Sequence, residues 1–175
     1  MPIATLSGML GQKRKSLAVL LPLLTLAGCS SDDEFTADVA GNYTIALTND
    51  ESTCAFSNWE EGNETSGIGL AITQDGQQLR GTLDGLAGAF FVLWLGSADF
   101  DGTIQGRALS LTNYGEVPKQ QGNCSFTYNA VVKAKQNADT IEGTITYSPQ
   151  TNGNPDCAAV ECSASQRFSG VRPPK

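Results

Sequence analysis

In the stretch Thr140-Ile141-Glu142-Gly143-Thr144-Ile145-Thr146-Tyr147, the apolar or small residues Ile141, Gly143, Ile145 and Tyr147 alternate strictly with polar ones. Side chains on an extended strand point to opposite faces in turn, so this is a β-strand with one buried and one solvated face. The same parity recurs outward in both directions. It holds for Val39, Gly41, Tyr43, Ile45 and Leu47, then for Ile68, Leu70 and Ile72, then for Leu79, Gly81 and Leu83. It returns at Phe100, Gly102 and Ile104, at Leu109 and Leu111, and at Phe126, Tyr128, Ala130 and Val132, with a weaker last strand around Phe168. About eight strands are predicted, and no stretch beyond residue 29 has the spacing of an amphipathic helix over three turns.

The connections alternate in length. Asp75-Gly76, Gly106-Arg107 and Asn137-Ala138-Asp139 are tight turns, whereas the links over residues 49–66, 85–97, 114–123 and 149–162 are long. In a meander, successive connections fall at opposite ends, so all the tight turns gather at one end and all the long links at the other. This predicts an all-β domain: a single small antiparallel up-and-down barrel over residues 37–172. Gln77-Gln78-Leu79-Arg80-Gly81-Thr82-Leu83, Phe100-Asp101-Gly102-Thr103-Ile104 and Thr140-Ile141-Glu142-Gly143-Thr144-Ile145 each carry Gly-Thr at mid-strand, with glycine on the inward parity. Such glycines let strands bend enough for a small barrel to close.

Ahead of the domain, the basic patch Gln12-Lys13-Arg14-Lys15 precedes an apolar run from Leu17 to Leu26, too short to span a bilayer, which ends in Leu26-Ala27-Gly28-Cys29. This resembles a bacterial lipoprotein signal. The resemblance implies that residues 1–28 are removed and that Cys29 is lipidated as the first mature residue, with residues 29–36 as a flexible tether. Each buried methylene of the acyl chains contributes about 0.8 kcal/mol, so several chains make attachment effectively permanent. Ser30, by resemblance to Gram-negative sorting rules, directs the product to the outer membrane. Loss of Lys13, Arg14 and Lys15 takes the formal charge from -7 to -10. That acidity excludes nucleic-acid binding through phosphate neutralisation and limits membrane contact to the anchor itself.

About 140 residues then remain, enough for one core. Their four cysteines, Cys54, Cys124, Cys157 and Cys162, form an even set in an oxidising compartment. Three pairings are open, and the expectation adopted is Cys54 with Cys124 and Cys157 with Cys162. All four flank long links, so any pairing staples the same end of the barrel. Their spacing is not that of a zinc site, and the chain has no histidine. No metal or cofactor is expected. Asp99-Phe100-Asp101-Gly102 carries only a fragment of a calcium loop.

Gly41-Asn42-Tyr43 on the first strand, with Arg167 or Arg172 near the last, resembles a lipocalin-like (calycin) barrel, although that family has Gly-x-Trp where this chain has tyrosine. The resemblance implies a small apolar ligand at the barrel mouth. Leu86-Ala87-Gly88-Ala89-Phe90-Phe91-Val92-Leu93-Trp94-Leu95 lies in a long link and is too apolar for an ordinary solvated loop. Two readings compete: a lid lining a pocket, or an extra strand or core flap without a ligand role. Phe90, Phe91, Trp94, Trp59 and Tyr43 are the candidate lining residues. Glu60, Glu61 and Glu64 beside Trp59 are read as a solvated loop tip.

Without histidine there is no Ser-His or Cys-His couple, and no motif positions carboxylates for catalysis. The expected function is therefore non-catalytic: a monomeric lipoprotein of the outer membrane that holds a small, lipid-like apolar ligand at the barrel mouth. The alternative is a structural or protein-interaction lipoprotein, including a protease-inhibitor-like one, with a filled core and an envelope protein as partner. Replacing Cys29 by Ala is expected to abolish incorporation of labelled palmitate and to move the protein from the membrane pellet to the soluble fraction. Gel autoradiography of the two fractions measures both.

Overall fold

The computed structural model describes residues 35 to 174, so the signal over residues 1–28 and the lipidation site Cys29 lie outside the described residues. The strands are β1 (Gly41–Ser52), β2 (Glu64–Asp75), β3 (Gln78–Leu83), β4 (Asp99–Gln105), β5 (Ala108–Asn113), β6 (Lys119–Gln121), β7 (Cys124–Asn137), β8 (Thr140–Thr151) and β9 (Ala164–Val171). All pair antiparallel with their neighbours. The ring closes where β1 meets β9, with Ile45 opposite Gly170, and where β5 meets β7, with Leu109 opposite Ala134. The short β6 pairs only with β7 and stands outside the ring, leaving eight strands in an up-and-down barrel as expected.

Alternation places the predicted residues inside. Tyr43, Ile45, Leu47, Ile72, Leu79, Phe100, Ile104, Leu111, Val132, Ile145 and Phe168 form one buried cluster. Burial of such side chains contributes about 1.5–3 kcal/mol each and dominates the stability of the cylinder. They nearly fill it. The remaining interior cavity is about 40 Å³ and its lining is wholly apolar. Two of the three mid-strand glycines, Gly102 and Gly143, act by close approach. A Cβ on Gly143 would sit 2.3 Å from the Lys133 carbonyl oxygen of the neighbouring strand, whereas one on Gly81 would meet only the Leu70 and Leu111 methyls, at 3.5 and 3.7 Å.

The end that holds the tight turns is sealed. Residues 37–40 cross it, held by the Gln74 side chain, which accepts from the Val39 N–H at 2.8 Å and donates to the Ala37 carbonyl at 3.1 Å. The buried Arg172 guanidinium donates to the carbonyls of Ala40 (2.6 Å) and Asp38 (3.0 Å) and to the Asp139 carboxylate (3.2 Å). It also lies 5.6 Å from the centroid of the Tyr43 ring. Of the two candidate basic residues, Arg172 therefore meets Gly41 and Tyr43. Arg167 points outward and pairs with Asp50 at 2.7 Å.

The long links gather at the other end, and both disulfides lie there, but not in the expected pairing. Cys54 joins Cys162, and Cys124 joins Cys157. The reason is strand order. β9 and β8 stand between β1 and β7, which separates Cys54 from Cys124 by three inter-strand steps, or about 14 Å, beyond the reach of a disulfide. The ladder between β1 and β9 instead runs out at Ser52 and Ala164, with the Thr53 N–H donating to the Ser163 carbonyl at 2.8 Å, and so delivers Cys54 to Cys162. A 3-10 helix over Pro155–Val160 brings Cys157 to the start of β7, where Asp156 accepts from the Asn123 N–H at 3.0 Å.

The second correction is a helix. The apolar run folds as α1 (Gly85–Leu95), which ends at Gly96 in a left-handed conformation with its N–H bonded to Val92. Its residues are apolar on every side, so it has no polar stripe to betray a period of 3.6. Gly143→Ala is expected to destabilise the barrel by about 2 kcal/mol or more, since the methyl meets the Lys133 carbonyl and the Cα and Cβ of Ala134, none of which can swing aside. Gly81→Ala, which points a methyl into the small cavity, is expected to change stability by less than about 1 kcal/mol. Urea unfolding of the two variants compares them.

Candidate functional site

Helix α1 lies across the open rim. A Cβ on Gly88 would fall 2.2 Å from the Leu83 carbonyl oxygen, so the helix can rest against the end of β3 only because that position lacks a side chain. Phe91 and Leu95 point down into the barrel and are buried, whereas Leu86, Phe90 and Leu93 are 91, 58 and 80 % exposed. At the far end of the helix, the Glu116 N–H donates to the Leu95 carbonyl at 2.6 Å. The run is thus a plug on one side and an exposed apolar surface on the other.

Between α1 and the loop over residues 53–63 opens a cleft of about 950 Å³. Four of the five predicted lining residues, Trp59, Phe90, Phe91 and Trp94, line it together. Tyr43 does not. It lies at the sealed end, where its hydroxyl donates to the Val39 carbonyl at 3.0 Å. β1 begins at the sealed end, and Tyr43 is only its third residue.

Phe56 and Tyr147 complete the aromatic lining. Phe56 sits 5.7 Å from Trp59 and packs edge-on against Trp94 at 5.2 Å, tying the loop to the helix. Phe90 stacks on Trp94 at 6.1 Å, and Trp94 lies 5.4 Å from Tyr147. Such pairs add about 0.5–1.5 kcal/mol each beyond area burial. Sequence reasoning placed Tyr147 only in the core and passed over Phe56; the one signal for Phe56 was its place between Cys54 and Trp59 in a loop otherwise small and polar.

At the base of the cleft runs a chain of uncharged hydrogen bonds. The Tyr147 hydroxyl donates to Gln166 Oε1 (2.6 Å), Gln166 Nε2 donates to Asn49 Oδ1 (2.7 Å), and Asn49 Nδ2 donates to the Glu60 carbonyl (3.1 Å). Burial pushes the Tyr147 phenol well above the usual tyrosine range, so it stays protonated. Trp59 Nε1 donates to the Asp50 carbonyl at 2.8 Å, which fixes the indole at the loop edge.

Among the described residues, acidic groups elsewhere make no comparable site. Glu60, Glu61 and Glu64 are exposed along the loop and the start of β2. Asp99 and Asp101 lie on the outer sheet face, where Arg80 already answers their charge at 3.8 and 3.1 Å. Among the described residues no group of three or more acidic or cysteine side chains is placed to hold a metal ion.

No protein-family model matches the chain, and comparison with curated proteins and with solved structures finds no match.

Tyr147 is neutral in the fold and ionises freely once unfolded, so its contribution is complete below about pH 10 and is lost as pH rises beyond that. Denaturant unfolding at pH 8 and pH 11 is expected to show a fall in stability at the higher pH, and Tyr147→Phe to reduce that fall.

Proposed function

We propose that this chain is a non-catalytic lipoprotein, anchored through Cys29 to the outer membrane, whose lipocalin-like barrel binds a small apolar ligand at its open rim. The observation that carries this reading is the cleft of about 950 Å³ between the exposed apolar helix and the loop over residues 53–63, a size that suits a small organic ligand. The site is beside the helix and not inside the barrel, because the interior cavity of about 40 Å³ is too small for one. Phe90, Phe91, Trp94 and Trp59 supply the contact surface, joined by Phe56 and Tyr147. The lipocalin likeness draws support from the closed eight-stranded meander and from the meeting of Gly41, Tyr43 and Arg172 at the sealed end. The anchor and the membrane assignment rest on Leu26-Ala27-Gly28-Cys29 and Ser30.

A second reading is favoured by a different observation. Leu93 is exposed on α1 yet does not line the cleft, so an envelope protein could dock on that outer face while the filled barrel serves as scaffold. Fluorescence titration of the mature protein with an uncharged apolar dye, read through Trp59 and Trp94, separates the two. Under the ligand reading, Phe90→Ala weakens dye binding roughly three- to tenfold, the loss of about one aromatic contact, and Leu93→Ala leaves it unchanged. Absence of saturable binding by the parent protein overturns the ligand reading.

A further inference from the structure

We propose that the cleft selects an uncharged amphiphile, an apolar chain bearing a hydroxyl, ester or amide head, and rejects the fatty-acid anion. This rests on the ligand reading above and specifies which chemistry fits the same site. Among the described residues no lysine or arginine lines the cleft, and its one charged lining residue is the acidic Asp84. Of the seven described cations, Arg80 pairs with Asp101 on the outer sheet face, Arg167 with Asp50, Arg172 lies at the sealed end and Lys133 meets the Ser110 hydroxyl at 2.6 Å, while Arg107, Lys119 and Lys135 also lie outside the lining. Asp84 stands at the N-cap of α1, exposed, and its side chain accepts no capping hydrogen bond from the helix, so its charge remains at the mouth of the cleft. Glu60, Glu61 and Glu64 on the neighbouring loop and strand add to the negative field.

A carboxylate entering this cleft would lose water and meet no lysine or arginine, and the positive end of α1, which borders the cleft, is already offset by the Asp84 carboxylate at its N-cap. A buried charge without a partner is among the costliest arrangements in a protein. An uncharged head meets different terms. The base of the cleft is the Tyr147, Gln166 and Asn49 chain, whose amides retain donor and acceptor capacity, and Asn58, Asn63 and Ser66 supply more at the wall. Aromatic faces accept the chain. A cationic head is drawn by the same negative field at the mouth, but the base offers it amides and no anion to replace its lost water, so it ranks below a neutral head.

The test is displacement of an uncharged apolar dye from the mature protein at pH 8 by decanol, decanamide, decanoate and decyltrimethylammonium, which share one chain and differ in the head. Decanol and decanamide are expected to displace the dye at concentrations roughly tenfold or more below decanoate, as follows from burying an unpaired carboxylate. Asp84→Lys, which sets a cation at the mouth, is expected to narrow the ratio of decanoate to decanol. Equal displacement by decanoate and decanol overturns the selectivity and leaves ligand binding standing. Decyltrimethylammonium displacing the dye more strongly than decanol overturns it as well, in favour of a cationic ligand. A dye that does not bind at all removes both the selectivity and the ligand reading beneath it.

Discussion

Closure of the sheet, β1 on β9 and β5 on β7, is the constraint from which the remaining features follow. A strand at an open edge leaves a row of unpaired backbone groups, and a ring removes both edges at once. Closure also sets the interior width. Eight strands leave a cylinder that side chains just fill, so Phe100, Ile104, Leu111, Ile145 and their neighbours occupy the space in which a larger barrel would hold a ligand. Any binding surface must then be built outside the cylinder, and the long links of the open end are the material for it.

The two ends divide the work. At the sealed end, short turns leave little freedom, and Arg172 ties residues 38–40, the Tyr43 ring and the Asp139 turn into one cap. Burying a guanidinium is costly unless its donors are met, and here three oxygens and an aromatic face meet them. At the open end, the links are long enough to carry helix α1, the short strand β6 and a 3-10 turn, and aromatic contacts between Phe56, Trp59 and Trp94 hold loop and helix together. Rigidity at one pole lets elaboration accumulate at the other.

How much of this was legible in the sequence depends on whether a feature is local. The inward set could be read because each residue's facing is settled by its immediate neighbours, and the alternation of tight and long connections sorted the ends correctly. Helix α1 escaped because residues 86–95 are apolar all round, so no polar face marks a period. The disulfides escaped because they depend on which strands meet across the seam, and Ser52 opposite Ala164 is a contact between residues far apart in the chain. The same distinction runs through the cleft. Trp59, Phe90, Phe91 and Trp94 were found from their links, which all rise at one end, whereas Tyr43 shares their character but belongs to the start of a strand that begins at the other.

The disulfides have one more consequence. Cys124–Cys157 lies wholly inside the segment bracketed by Cys54–Cys162, so the covalent loops are nested. A protease that nicks the backbone once anywhere between residues 54 and 162, where every exposed open-end link lies, severs no fragment: the two pieces remain joined through sulfur. The surface most open to attack is thus the part of the molecule that can be cut once without losing mass.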